Sequence, residues 1–287
     1  MDIVPKDEKK LYFASFVGGG VAGLVVDMVL FPLDTIKTRL QAQQGFQRAG
    51  GFKGIYKGIG PQAIGSAPQA ALFFLTYETV KYYSESLVPN YAAPGVHMFG
   101  AALAEVTACL IRVPMEVVKQ RRQTQSNNKS SLKIALSAYK HEGIVKGLYR
   151  GFGSTIMREI PFSIIQFPVL EGLKKNYRIY FKNNIPLESW EVAICGSIAG
   201  GFSAAVTTPL DVAKTRIMLA DRKQIKTGDM TVRRILAQVY ATEGFKGLFA
   251  GFVPRVMWIT LGGCIFFGSY DFAKGTCLQL IDGEEVF

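Results

Sequence analysis

Six stretches of the chain are poor in charge, and basic residues gather between them. Residues 59–77 and 192–210 each run 19 positions without Asp, Glu, Lys, Arg or His. Residues 11–26, 160–170 and 256–270 are shorter runs of the same kind, and residues 92–111 hold only His97 and Glu105. A bilayer core of ~30 Å needs ~20 apolar residues as helix. Hydropathy alone therefore predicts two spans, over 59–77 and 192–210. The other four follow only if their charges face an interior rather than lipid.

The same pattern repeats three times. PLDTIKTRLQ begins at Pro32, PMEVVKQRRQ at Pro114 and PLDVAKTRIM at Pro209, 82 and 95 residues apart. Each reads Pro, any residue, acid, two residues, base, one residue, Arg. A second element follows each copy and closes on Gly58, Gly151 and Gly251. A third, YETVK, LEGLK or YDFAK, places its acid 20 residues after that glycine: Glu78, Glu171, Asp271. Internal repetition at a fixed order means a tandem structural unit. The unit predicted is a helix, a basic loop with a short surface helix, and a second helix. The boundaries are 1–90, 91–187 and 188–287. Three such units give an all-α membrane protein of six transmembrane helices with both termini on one side.

Composition adds support. Of 287 residues, 49% are hydrophobic and only 19% charged, and mean hydropathy is positive. A soluble enzyme of this size carries more charge. The net charge of +11 suits anionic lipid headgroups, since Lys37, Arg39, Arg48, Lys53 and Lys57 cluster beside an apolar run. A nucleic-acid partner needs a basic patch on a soluble fold and is not expected. MDIVPKDEKK predicts neither a secretory signal nor a transit segment. Cys109, Cys195, Cys264 and Cys277 lack metal or redox spacing and are expected to pack. His97 and His141 have no nucleophile or metal partner in evidence, so no catalytic or metal site is expected. Gly18–Gly23 satisfies G-x-G-x-x-G, but inside an apolar helical run it predicts close helix packing rather than a dinucleotide site.

The triplicated Pro-x-acid-x-x-base signature, with its following Gly-aromatic-base-Gly element, resembles the mitochondrial carrier family over essentially the whole chain. That resemblance implies a six-helix barrel with threefold pseudosymmetry in the mitochondrial inner membrane, both termini facing the intermembrane space. It further implies solute exchange by alternating access, a monomer and no cofactor beyond bound cardiolipin. On this reading Pro32, Pro114 and Pro209 kink their helices. Asp34 with Lys37, Glu116 with Lys119, and Asp211 with Lys214 share helix faces. Each base is expected to meet the acid of the neighbouring repeat in a matrix-side gate. Glu78 with Lys81, Glu171 with Lys174, and Asp271 with Lys274 are expected to form the cytoplasmic-side gate. The family also places a glutamine brace four residues after each gate base, here Gln41 and Gln123, with Met218 departing. Ala250 departs where Lys57 and Arg150 stand, which predicts a weaker third lipid site.

A solute lacks threefold symmetry, so its contacts are expected where the repeats differ. Aligned on the closing glycines, Gly65, Arg158 and Trp258 are equivalent, as are Ser66, Glu159 and Ile259. Gln62 and Arg255 match one turn earlier, and Gln69 one turn later. Asp27, Glu105 and Arg112 have no charged counterparts in the other units. Glu105 and Arg112, seven residues apart, could equally be a packing ion pair. Charged residues within a membrane default to function. The contacts expected are Asp27, Gln62, Gly65, Gln69, Glu105, Arg158, Glu159, Arg255 and Trp258. Arg158 suits an α-carboxylate and Glu159 an α-ammonium. The balance of acids and bases suits a zwitterionic or cationic amino acid derivative. Within the family, VDMVLFPLDTIKTRLQ, ACLIRVPMEVVKQR, REIPFSIIQFP and AGGFSAAVTTPLDVAKTRI are most like members that exchange S-adenosylmethionine for S-adenosylhomocysteine. That implies those two solutes, with Asp27 or Glu105 near the sulfonium and Gln62, Gly65 and Gln69 near adenine. The alternatives are another such amino acid derivative, or a carrier-fold scaffold that does not transport.

Overall fold

A computed structural model of the chain describes residues 6–85, 93–124, 129–183, 185–220 and 231–282; side chains are described at these positions except 6–17, 85, 93–98, 267, 271, 274 and 278–282. All regular structure among the described residues is helical. In chain order the helices are α1 (Lys6–Gln41), α2 (Ile59–Glu85), α3 (Ala93–Thr124), α4 (Ser131–Glu142), α5 (Phe152–Phe181), α6 (Ser189–Val206), α7 (Thr208–Leu219), α8 (Val232–Leu248) and α9 (Phe252–Asp282). Each repeat thus supplies two long helical segments. α4 and α8 are the surface helices of the second and third.

Among the described residues three helices are long and apolar enough to cross a membrane, within Gly18–Gln41, Ser189–Val206 and Phe252–Cys277. The uncharged run 59–77 is not among them. Its Gln62, Ser66 and Gln69, with Gly and Pro, lower its hydropathy although it carries no charge.

The first repeat departs from the expected surface helix, for residues 42–58 are a succession of turns. Gly45, Gly50, Gly51, Gly54 and Gly58 all take positive φ there, a conformation helices exclude. The signature arginine explains the substitution. In the second repeat Arg121 grips Glu142 through both carboxylate oxygens (2.6 and 2.9 Å), and in the third Arg216 reaches Glu243 at 2.7 Å. The first repeat has Gly50 at the acid's place. A Cβ at Gly50 would lie 3.1 Å from the Arg39 guanidinium carbon, so glycine leaves room for that group. Arg39 instead donates to the carbonyls of Gly51 (2.7 Å), Lys53 (2.8 Å) and Gln123 (2.8 Å).

The prolines also behave unequally. Pro32 and Pro114 lie inside continuous α1 and α3. Before Pro209 the helix breaks at Thr207, dividing α6 from α7. A proline removes one helical donor, and here α9 stabilises the break. Arg255 donates to the Thr207 carbonyl (3.2 Å) and hydroxyl (2.8 Å).

Residues divide into two compact units. One comprises residues 1–34, 161–207 and 252–287, where α6 lies close against α9. A Cβ at Gly200 would come within 2.8 Å of Ile259, and one at Gly201 within 2.6 Å of Thr260. A Cβ at Gly19, Gly20, Gly23 or Gly196 would meet nothing among the described residues within 4 Å. The packing role expected of the first glycine cluster is therefore carried by Gly200 and Gly201. Cys109 and Cys195 are buried as expected, but Cys264 is exposed.

The second unit comprises residues 35–160 and 208–251. There α2 packs on α3, where Thr76 and Thr107 hydroxyls bond at 2.9 Å. α7 packs on α8 through Ala213, Ile217, Val232, Ile235 and Val239. Met218 is wholly buried with Cys109, Val113 and Val117 of α3. Gly58 closes its turn at φ +98°, and a Cβ there would stand 3.1 Å from the Lys119 carbonyl. Gly58→Ala should cost about 1–2 kcal/mol and lower the melting temperature by several degrees. Gly153→Ala, in open helix, should leave it unchanged or slightly raised. Equal losses in a thermal-shift comparison would contradict this assignment.

The Glu142 clasp makes stability depend on pH. Burial opposes its ionisation, but the hydrogen bond from Arg121 and the charges of Arg121 and Arg150 outweigh burial and hold its pKa below 4.5. A depressed carboxylate stabilises the fold above its unfolded pKa, and that stability is lost as pH falls through the folded value. Glu142→Gln should therefore lower stability by about 1–3 kcal/mol at pH 7. It should also flatten the decline below pH ~4.5, as melting curves across pH would register.

Candidate functional site

Glu105, Arg112, Glu116 and Lys119 follow one another on α3 at intervals of seven, four and three residues, which places them along one helix face. The first turns of α5 present Arg158 and Glu159, α7 presents Asp211 and Lys214, and the end of α1 presents Lys37 and Gln41. Within the second unit Lys37, Arg112, Arg158 and Lys214 form one connected ion network with Glu105, Glu116, Glu159 and Asp211. Lys37 Nζ lies 2.7 Å from Asp211 Oδ2, and Arg158 Nε lies 3.8 Å from Asp211 Oδ1. Arg158 pairs in turn with Glu159. Arg112 Nη1 lies 3.2 Å from Glu159 and 2.8 Å from Glu105. Its Nε is 4.0 Å from Glu116, which pairs with Lys214 at 2.7 Å.

Four cations face four acids, so the network is balanced. Burial falls unevenly along it: the side chains of Asp211 and Arg158 are 5% and 9% exposed, whereas Arg112 and Glu105 are 30% and 32% exposed. Exposed pairs contribute only ~0.2–1 kcal/mol each. Removing one partner of a buried pair costs about 3–5 kcal/mol. One end of the network is thus easily exchanged and the other resists disruption.

The glutamines take different roles. Gln41 donates to Asp211 at 2.9 Å and accepts from Thr215 at 2.7 Å, bracing the Lys37–Asp211 pair. Gln123 donates to the Thr35 hydroxyl (3.1 Å), while its carbonyl accepts from Arg39. At the third brace position Met218 is an apolar plug. Lys119 donates to Gln62 at 3.0 Å, so a residue expected at the solute touches a gate base.

Other expected solute contacts scatter. Gly65 is buried against Met115, where a Cβ would stand 2.8 Å from that side chain. Gln69 is half-buried. Asp27, Trp258 and Arg255 belong to the first unit, as does the gate residue Asp34. Arg255 departs from the expectation: it is 2% exposed and committed to the helix break at Thr207. Arg112 and Arg39, absent from the contacts and gates expected above, organise more of the second unit than several residues included there. The seven-residue interval to Glu105 was the available signal for Arg112, and Gly50 in place of an acid was the signal for Arg39.

At the other end of the repeats, Glu171 pairs with Lys174 of its own helix at 2.8 Å, and Glu78 is exposed. The side chains of Asp271 and Lys274 lie outside the described residues. Among the described residues no cluster of His, Cys, Asp and Glu could hold a metal ion. G-x-G-x-x-G at Gly18–Gly23 lies inside α1, with helix on both sides of it.

The family model for mitochondrial carrier proteins matches three segments in tandem, residues 8–86, 92–181 and 186–279. The chain is 57% identical to the S-adenosylmethionine mitochondrial carrier protein homolog of Drosophila melanogaster, covering 94% of this chain and 95% of that protein. It is 52% identical to the mitochondrial S-adenosylmethionine carrier protein of Mus musculus, over 94% and 96%. For the same-named protein of Danio rerio the identity is 51%, over 94% and 100%. With three tandem matches spanning nearly all of its length, this chain belongs to the mitochondrial carrier family, as a transporter of a mitochondrial membrane rather than an enzyme.

Proposed function

We propose that this carrier brings S-adenosylmethionine into the mitochondrial matrix in exchange for S-adenosylhomocysteine, across the inner membrane and by alternating access. The observation that carries the reading is the Arg158–Glu159 pair, joined to Asp211 on one side and to Arg112 and Glu105 on the other. Its chemistry matches the amino-acid end of the solute: guanidinium for the α-carboxylate, carboxylate for the α-ammonium, and a second acid, Glu105, for the sulfonium. The names of the relatives support the same solute. Gln62, Gln69 and Trp258 remain the candidates for adenine, and Asp27 an auxiliary acid.

The proposed mechanism uses exchange of ion-pair partners. A carboxylate arriving at Arg158 competes with Asp211 for the guanidinium and so redistributes charge around the Lys37–Asp211 pair. A solute that binds the rearranged network more tightly shifts the two-state balance by that difference alone. The six spans are α1, α2, α3, α5, α6–α7 and α9, in a threefold monomeric barrel with both termini in the intermembrane space. Lys37–Asp211 and Lys214–Glu116 then close the matrix side. Glu78 with Lys81, Glu171 with Lys174, and Asp271 with Lys274 would close the cytoplasmic side in the opposite state. Cardiolipin phosphates would sit where Gly58, Gly151 and Gly251 turn the chain into the N-termini of α2, α5 and α9. Arg150, clasped by Glu142 and the Ala220 carbonyl, is not spare for that lipid.

Competition in proteoliposomes tests the solute. External S-adenosylhomocysteine should inhibit uptake of labelled S-adenosylmethionine, whereas arginine, lysine and ornithine should not. The reverse order would assign the carrier to basic amino acids.

A further inference from the structure

Arg112 holds a position that a solute would need. Its Nη1 lies 2.8 Å from Glu105 and 3.2 Å from Glu159, so one guanidinium serves acids on two helices, α3 and α5. These are the acids to which the proposed reading assigns the solute's two cationic centres, and the inference rests on that reading. The pair is open to solvent, with Arg112 and Glu105 about one-third exposed. The long side chain also has a second anchor: its Nε is already 4.0 Å from Glu116, one turn along the helix. Leaving Glu105 and Glu159 therefore does not strand its charge.

The geometry points to Arg112 as a resident counter-ion, a substitute for the solute's cation that fills the site until solute displaces it. On displacement the guanidinium swings to Glu116, whose carboxylate holds Lys214 at 2.7 Å. A cation drawn closer to Glu116 competes with Lys214, so filling the site weakens a matrix-side pair. Arg112 is thus a positioning residue with a consequence for specificity. S-adenosylmethionine carries an ammonium and a sulfonium and replaces Arg112 at both acids. S-adenosylhomocysteine, a neutral thioether at the same place, replaces it only at Glu159, and Arg112 stays on Glu105.

Arg112→Gln tests this in full-length protein reconstituted in liposomes, with KM and kcat measured separately for both solutes. Without the resident cation, KM for S-adenosylmethionine should fall about tenfold, KM for S-adenosylhomocysteine should change less than about threefold, and kcat should drop for both. Arg112→Lys should restore most of kcat. A purely structural role would reduce the amount of active protein and move both solutes alike, and that result overturns the inference. Should Arg112→Gln not fold, Glu105→Gln serves instead. It should raise KM for S-adenosylmethionine toward that of S-adenosylhomocysteine and leave the latter unchanged, and equal shifts overturn the proposal. Wild-type protein that moves neither solute would instead refute the solute assignment itself, and the inference would fall with it.

Discussion

Asp211→Asn should reduce exchange to less than a tenth of wild type and destabilise the protein by about 3–5 kcal/mol. The asparagine keeps an oxygen for Gln41, which donates to Asp211 at 2.9 Å. It cannot keep the charge that Lys37 meets at 2.7 Å and Arg158 at 3.8 Å. Arg158 is nearly buried, so an unbalanced cation there is costly. A melting temperature lower by roughly 10 °C is the corresponding thermal signature. Lys37→Met removes the other half of the main pair, and the two substitutions should be strongly non-additive. Additive losses in a double-mutant cycle would mean that Asp211 acts independently of Lys37.

Glu159→Gln should separate transport from folding. The variant loses the carboxylate shared by Arg158 and Arg112, yet each arginine retains another acid: Asp211 for the first, Glu105 for the second. The stability cost should therefore fall below that of Asp211→Asn, whereas uptake of S-adenosylmethionine should drop at least tenfold because the ammonium has lost its partner. Uptake rates normalised to correctly folded protein decide the matter. Normal uptake by Glu159→Gln would remove this residue from the solute's path.

How much of this was legible beforehand follows from what repetition can reveal. Residues present in all three units announced their importance. The structure places Lys37 on Asp211 and Lys214 on Glu116, pairs that join residues of different repeats. Residues that break the pattern announced that something differed, but not what. Arg255 stood apart as a charge in an apolar helix, and only the fold placed it against Thr207, where the third proline breaks its helix instead of bending it. Spacing within one helix was informative for Glu105 and Arg112, since seven residues is two turns. The same spacing could not show that Arg112 also reaches Glu159 on another helix. The turns of residues 42–58 escaped because their cause is a missing acid: Gly50 leaves Arg39 to bind carbonyls. The glycines of α1 misled, for small residues permit close packing without requiring it, and among the described residues a Cβ at Gly19, Gly20 or Gly23 would meet nothing within 4 Å.

Counter-exchange across a sealed membrane separates exchange of the two solutes from one-way uptake or none. Purified protein is reconstituted in liposomes loaded with S-adenosylhomocysteine, with S-adenosylmethionine or with buffer alone, and labelled S-adenosylmethionine is supplied outside. Uptake should be rapid into both loaded populations and slight into the empty one. Equal uptake into empty vesicles would contradict exchange, and no uptake into vesicles loaded with either solute would contradict the assignment of the solute itself.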